Sequence, residues 1–351
     1  MAGTQVRAEM AEQPVVLAAI AQRRTQWQDL VRAHLPERLQ GISLIARGSS
    51  DNVAVHARYL LELATGLPVS MVAPSLMTRY QHTPQVRDSL VVALSQSGRT
   101  PEIVDVAERL AAAGGIVVSV TNDDDSPLAR ASAVTLSVGT SPELAVPATK
   151  TVTGQLALVT LLAEAVGPGM DAYTGGDAAW AALADAASQT LSDTDGLAAA
   201  VEVLRPRTSA VHLARGLSYA AALEGALKSK ETSRRVHEGF SSADFLHGPL
   251  TVASPDVAIV AYGAAGPVLA DVLETARAAA GLGSPVIGVG PRDAWGSIPD
   301  AVVLPVPQIL GEALTTILLV IRGQQLAIDT TLALGMDPDR PTGLNKVTAT
   351  T

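Results

Sequence analysis

The chain has 351 residues, a formal net charge of −9 and no cysteine, which excludes disulfides, thiolate nucleophiles and Cys-based zinc sites. No Lys/Arg-rich stretch offsets the negative charge, so the surface is not one that collects nucleic acid by neutralising phosphates, and an anionic ligand has to be held locally. Single cores seldom grow past about 250 residues, so two domains are expected, with aliphatic interiors because the chain holds only 2 Phe and 3 Trp.

The first twelve residues carry Arg7, Glu9 and Glu12 and no apolar core, unlike a secretory signal. The longest apolar run, near Leu156–Val166, is broken by Glu164 and is shorter than the roughly 18 residues that span a bilayer. A cytoplasmic protein without membrane or nucleic-acid partners is expected. Between Ile42 and Val138 short β-branched runs alternate with helical patterns: strand 42–46, helix 52–64, strand 89–94, helix 101–113, strand 116–121. That alternation predicts βαβ units and parallel sheets flanked by helices, an α/β fold. A long helix comes next over 149–166, then a Gly/Pro-rich break at 167–176, then an Ala-rich helical stretch reaching about Leu204 that reads as the connection between domains. The pattern then restarts. Leu44-Ile45-Ala46-Arg47-Gly48-Ser49 recurs in form as His212-Leu213-Ala214-Arg215-Gly216-Leu217-Ser218, each a strand running into a glycine before a helix, so an internal duplication is expected.

Val91–Leu94 reads as a buried strand, and Ser95-Gln96-Ser97-Gly98-Arg99-Thr100 as the turn from it into a helix that opens on Pro101. Thr100 suits the N-cap, Pro101 needs no N–H at the first helical position, and Glu102 and Asp105 suit the first turns. A helix start offers unpaired N–H groups and partial positive charge, and three hydroxyls surround this one, so a phosphate would fit. On the residues alone, a plain strand-to-helix turn is the stronger account. The chain lacks Gly-x-x-x-x-Gly-Lys-Ser/Thr, lacks Gly-x-Gly-x-x-Gly after a strand, and has no Gly-x-Ser-x-Gly elbow here.

From Leu217 to Val236 an Ala- and Leu-rich helix is predicted, in which Glu224, Lys228 and Glu231 fall at i, i+4 and i+7 on one face. Ala220, Ala221 and Leu227 flank that stripe, and charges among small apolar residues are costly unless they are paired or used. Glu224 with Lys228 reads equally as a helix-supporting ion pair or as functional machinery; Glu231 is the better candidate for catalysis. None of the six histidines forms a metal-ligand cluster with Asp or Glu at a recognisable spacing, and neither metal nor cofactor is expected.

Leu94-Ser95-Gln96-Ser97-Gly98-Arg99-Thr100 resembles the phosphate loop of SIS-domain proteins, in particular the isomerase half of glucosamine-6-phosphate synthase. The likeness continues through Glu12-Gln13-Pro14, Gly48-Ser49-Ser50-Asp51-Asn52, Ala145-Val146-Pro147-Ala148-Thr149-Lys150, the segment Ala222–Glu231, His247-Gly248-Pro249 and the tail from Asp337. It implies two tandem SIS subdomains: an N-terminal helical segment over 1–27, a first SIS domain over 28–170 with the phosphate loop, a connecting helix over 171–205, a second SIS domain over 206–335 and a tail over 336–351. By resemblance Ser95, Gln96, Ser97 and Thr100 hold the phosphate, and Ser49 and Val146 lie near the sugar. Glu231 moves protons between C1 and C2, with Lys228 beside it among the catalytic residues, His247 assists ring opening, and Lys346 reaches the substrate carbonyl. The related enzymes complete the site with the histidine of a neighbouring chain, which implies a homodimer. Two positions depart from the pattern: Arg99 stands where the synthases commonly have Glu, and Ala148 where they have a sugar-contacting Ser. The second half has no counterpart of the Ser-x-Ser-Gly loop, since Tyr262-Gly263-Ala264-Ala265-Gly266-Pro267 comes after its matching strand, and one phosphate site per chain is expected.

The full synthase carries a glutaminase with a catalytic cysteine, and neither is in this sequence, so glutamine is not expected as the nitrogen source by that route. The resemblance without that domain implies an isomerising deaminase, taking glucosamine 6-phosphate to fructose 6-phosphate and ammonia. The alternatives are an aldose–ketose isomerase, a deglycase, or a regulator that kept the fold and lost the chemistry. Lys346 as a carbonyl-capturing amine favours the nitrogen-handling readings, and Glu231, His247 and Lys346 together speak against a pure sensor.

Overall fold

The computed structural model describes residues 2–346. The chain opens with helices α1 (Thr4–Ala11) and α2 (Gln13–His34). It then alternates β1 (Ile42–Ile45), α3 (Ser49–Thr65), β2 (Val69–Met71), α4 (Ser75–Thr78), β3 (Leu90–Leu94), α5 (Pro101–Ala112), β4 (Ile116–Thr121), α6 (Pro127–Arg130) and β5 (Val134–Ser137). Four helices come next: α7 (Lys150–Val166), α8 (Asp171–Thr174), α9 (Gly176–Ser192) and α10 (Leu197–Leu204). The second alternation runs β6 (Ser209–Ala214), α11 (Tyr219–Ser233), β7 (Val236–Ser241), α12 (Ser242–Leu246), β8 (Val257–Tyr262), α13 (Leu269–Gly281), β9 (Val286–Gly290), β10 (Val302–Pro305) and α14 (Glu312–Ala333). Two compact units result. Among the described residues one holds Val15–Glu143, Lys150–Ala172 and 345–346; the other holds 2–14, Leu144–Thr149 and Tyr173–Leu344.

The first sheet has the order β2-β1-β3-β4-β5 and the second β7-β6-β8-β9-β10, with every strand pair parallel. Counting from the first strand of each half, the two orders are the same, as the recurring sequence pattern predicted. The duplication reaches the side chains. Arg47, just after β1, pairs with Glu102 in the first turn of α5 at 3.1 Å, and Arg215, just after β6, pairs with Asp271 in the first turn of α13 at 3.2 Å. Gly48 and Gly216, each next to its arginine, both take left-handed φ, 60° and 61°, which glycine adopts without steric cost.

β3 is fully buried along its length, the continuous apolar run expected of a parallel strand covered on both faces; each of its leucine and valine side chains contributes about 1.5–3 kcal/mol of burial. α5 turns Ile103, Val106, Ala107 and Leu110 onto that sheet in a core with Val91, Ala93 and Val117. In the other unit Leu213, Ile259, Ala261 and Val286 of the sheet pack with Val272 and Ala276 of α13 and with Trp295. α7 is buried over nearly its whole circumference and packs on α3; α14 is similarly enclosed and packs on α11. No helix among the described residues is long and apolar enough to cross a membrane.

Two expectations need correcting. The Ala-rich stretch is two helices, because Asp193 accepts the Asp195 N–H at 2.8 Å and Gly196 turns left-handed at φ 74°, ending α9 and restarting the chain as α10. The helix expected to reach Val236 stops at Ser233, where Arg234 adopts φ 57°, and Val236 already begins the edge strand β7.

Candidate active site

The strand order of the first sheet reverses between β1 and β3, and in open α/β sheets the crevice beyond the strand ends at such a point is where ligands bind. The loop 95–100 lies there. Ser95 N–H continues the sheet by donating to Val120 O at 3.1 Å. Gly98 N–H donates to Ser95 O at 3.1 Å and Ser95 Oγ at 3.2 Å, and Arg99 N–H donates to Ser97 Oγ at 3.2 Å. Both serine hydroxyls thus accept from the loop's backbone and keep their own protons for donation. Gly98 needs its left-handed φ of 61°, and a Cβ there would overlap the Ser126 side chain. Thr100 occupies the N-cap position ahead of Pro101, as expected, but its side chain makes no capping bond, which leaves that hydroxyl at the helix mouth.

Beside the loop opens a cleft of about 430 Å³, within the ~300–1,000 Å³ range of small-molecule sites. Gln96, Ser97, Arg99, Asp123, Glu143 and Lys346 are among the residues lining it. Arg99 donates to Asp123 Oδ2 from Nε at 3.1 Å and Nη2 at 2.7 Å, and that hydrogen bond holds the Asp123 carboxyl below the usual range. Lys346 donates to Glu143 Oε2 at 2.9 Å. Glu143 is fully buried and takes two further bonds, from Thr151 N–H at 3.2 Å and Thr151 Oγ1 at 2.7 Å, at the start of α7. Beneath it the buried Lys150 donates to Ser141 Oγ at 2.7 Å. Ser49 starts α3 directly after β1, the strand next to β3. The segment before Lys346 is held rather than loose: Asp339 accepts from the N–H groups of Gln5 at 3.1 Å and Val6 at 2.8 Å, capping α1.

The charged stripe lies in the unit of the second sheet. Lys228 Nζ stands 3.5 Å from Glu224 Oε1 and 2.5 Å from Glu231 Oε2; the side chains of Lys228 and Glu224 are 2% and 1% exposed, and that of Glu231 is 23% exposed. One ammonium serves two carboxylates, and the carboxylate with access to solvent is Glu231, the type and setting that can move a carbon-bound proton. His247, at the end of α12, is exposed between the exposed Leu246 and Val252, and its ring makes no hydrogen bond to a described residue. In the same unit Val146 N–H donates to Asp339 O at 3.2 Å. The structure thus gathers Ser95, Gln96, Ser97, Thr100, Ser49 and Lys346 in one unit, and Lys228, Glu231, His247 and Val146 in the other.

Sequence reasoning missed two features. Glu143 sits just before the Ala145–Lys150 motif, and the only hint was an acidic residue shortly before a helix start. The other is a buried chain across the second sheet: His237 Nδ1 and His212 Nε2 are 2.9 Å apart, and His212 Nδ1 and Tyr262 OH 3.0 Å apart. Burial pushes both imidazoles down, His237 to about 4, so both rings are neutral. Gly225, next to Glu224, lets α11 approach this chain, since a Cβ there would overlap the Tyr262 hydroxyl. No three His, Asp or Glu among the described residues stand together as a metal site.

Comparison with known proteins agrees with the two-sheet α/β fold. The chain is 30% identical over 312 residues to the glutamine–fructose-6-phosphate aminotransferase (isomerizing) of Thermococcus kodakarensis, covering 87% of this chain and 51% of that protein. It is 31% identical to the Gloeobacter violaceus protein of the same name, covering 88% and 51%, so it spans about half the length of these curated relatives. Among solved structures, a Silicibacter pomeroyi protein described as a phosphosugar isomerase superposes with a TM-score of 0.82 at 31% identity, over 96% of this chain and 100% of that one. The glucosamine-6-phosphate deaminase of Thermotoga maritima shares the fold, with a TM-score of 0.72 at 18% identity, over 97% and 100%. The SIS domain model matches residues 40–165 and 203–291, one match on each of the two like-ordered parallel sheets, and the chain belongs to the SIS domain family as a tandem of two such subdomains.

Proposed function

We propose that the chain is a sugar-phosphate isomerase-type enzyme that deaminates an amino-sugar phosphate, converting glucosamine 6-phosphate to fructose 6-phosphate and ammonia. The observation that carries this reading is Lys346, whose amine lines the same cleft as Gln96 and Ser97 of the hydroxyl-rich loop. A plain enediol isomerisation requires only a base and ring opening, whereas a primary amine can exchange with an imine at C2. In this reading Ser95, Gln96, Ser97 and Thr100 hold the phosphate at the mouth of α5, with Ser49 and Val146 toward the sugar. Glu231 takes the proton from C2 of the open-chain aldose and returns it to C1, while the C1 oxygen gains a proton and the C2 amine becomes an imine. Lys228 holds Glu231 in place. Water then replaces nitrogen at C2, directly or after transfer of the sugar to Lys346, and ammonia leaves. His247 assists ring opening from a second copy of the chain, a reading supported by its exposure between Leu246 and Val252 and by its ring making no hydrogen bond to a described residue.

An ammonia-release assay across hexosamine 6-phosphates tests the proposal, with borohydride used to trap sugar on Lys346. Ammonia and fructose 6-phosphate are expected from glucosamine 6-phosphate, and Lys346→Ala should lose trapping while still binding the phosphate. Rapid interconversion of unaminated sugar phosphates, with no ammonia from any hexosamine phosphate, would transfer the reading to an aldose–ketose isomerase. Phosphosugar binding without turnover would make it a regulator.

A further inference from the structure

The resting structure gives Lys346 a partner that the reaction must dispose of. Its Nζ lies 2.9 Å from Glu143 Oε2 and is the edge of that ion pair nearer solvent: Glu143 has no exposed side-chain surface, whereas Lys346 is 21% exposed. The carboxylate is fixed at both oxygens, Oε1 by Thr151 N–H and Oε2 by Thr151 Oγ1, at a helix start that favours the anion. A lysine salt-bridged in this way is an ammonium with no lone pair to offer. Its proton has to leave before nitrogen can bond to carbon, and among the described residues Glu143 is the base within hydrogen-bond reach.

We propose that Glu143 is the positioning residue for Lys346, aiming the amine into the cleft and taking its proton as it attacks; this rests on the deaminase reading above. Lys346 passes one proton to Glu143 Oε2. The freed lone pair forms the bond to C2 of the substrate imine, which solvent has protonated to the iminium, and the electron pair of the C=N bond moves onto the substrate nitrogen. A proton shifts from the lysine nitrogen to that nitrogen, which leaves as ammonia when the lysine lone pair closes the new C=N bond. Ammonia removes the proton from Glu143 and leaves as ammonium, and water later hydrolyses the lysine iminium to the ketose, restoring the Lys346 ammonium and its ion pair with Glu143. The depth of Glu143 makes this efficient, because a carboxylate fixed by Thr151 need not reorganise to accept the proton.

The test compares wild type, Glu143→Gln and Glu143→Asp with glucosamine 6-phosphate, using three readouts: borohydride trapping on Lys346, deuterium wash-in at C1 and C2, and calorimetric binding of the sugar phosphate. Glu143→Gln should slow trapping by about a hundredfold relative to wash-in, the range of a lost acid–base partner. Alkaline buffer should narrow that gap, because hydroxide then removes the amine proton. Glu143→Asp, which keeps the base at a greater reach, should recover part of the loss; it also keeps the test open if the amide variant does not fold. A purely structural role would lower binding, wash-in and trapping together and show no relief in alkali, and that pattern overturns the proposal. Trapping at the wild-type rate in Glu143→Gln overturns it too while leaving the deaminase reading standing. A wild type that forms no trapped adduct and no ammonia overturns both.

Discussion

Replacing Lys228 by methionine keeps the length of the side chain and removes the one ammonium between Glu224 and Glu231. Solvent screening offers little relief here, because the lysine and Glu224 are 2% and 1% exposed. Removing one partner from a buried ion pair typically costs 3–5 kcal/mol. Glu231 is partly hydrated and softens the loss, so Lys228→Met should lower stability by about 3 kcal/mol, roughly a hundredfold in the folding equilibrium. Urea unfolding measures this directly, with the slope against denaturant unchanged if only stability has moved. Lys228→Met with Glu224→Gln should recover a large part of the deficit, since anion and cation are then removed together. A loss below about 1 kcal/mol, or a double variant no better than the single, would show that these charges behave as an exposed pair and would refute the buried-triad account of how Glu231 is held.

Ser97→Ala with Thr100→Ala should raise the KM for the phosphorylated sugar at least roughly tenfold, since each lost bond is to a charged group; unchanged calorimetric binding would remove the phosphate-loop assignment. Mixing inactive Glu231→Gln chains with inactive His247→Ala chains should restore about a quarter of wild-type activity after random exchange into two-fold dimers, each mixed dimer having one intact site. No recovery, with exchange confirmed by mass, argues against a shared site. The third expectation concerns acid. His237 falls from its ordinary 6.5 to about 4 in the fold, so between those values the unfolded chain binds the proton and the folded chain does not. Stability should therefore drop as pH falls through that window, by roughly 3 kcal/mol from this ring. A His237→Gln variant with the same dependence of stability on pH as wild type would contradict it.

What could be read in advance was set by local chemistry. β3 is an unbroken apolar run and α5 opens on Thr100-Pro101, so both ends of the loop 95–100 were visible. The spacing of Glu224, Lys228 and Glu231 by itself puts them on one face of a helix, and the fold adds which end of the stripe meets solvent. β7 escaped because Val236-His237-Glu238-Gly239-Phe240-Ser241 has no apolar run; as an edge strand with one neighbour it does not need one. The end of α11 escaped because Arg234 takes the left-handed turn that glycine usually marks. Glu143 was invisible for a different reason: its partner Lys346 is 203 positions away, and no local pattern reports a contact of that range. The break at Asp193–Gly196 was legible in Asp-Thr-Asp-Gly and was overridden by the surrounding alanines.

The twin arginine braces bear on how this scaffold could be re-engineered. Arg215 and Asp271 keep the mouth of the second sheet in the same frame that Arg47 and Glu102 keep at the first, yet the loop after β8 has none of the hydroxyls that the loop after β3 presents. Where that loop passes, Gly266 lies against the Glu312 carboxylate, which burial pushes up to about 7. The second mouth therefore keeps the frame without the hydroxyls, and the Glu312 carboxylate fills the place beside the loop. Grafting Ser-x-Ser-Gly after β8 and replacing Glu312 with a smaller neutral residue would carry the hydroxyl pattern of the loop after β3 into the second half.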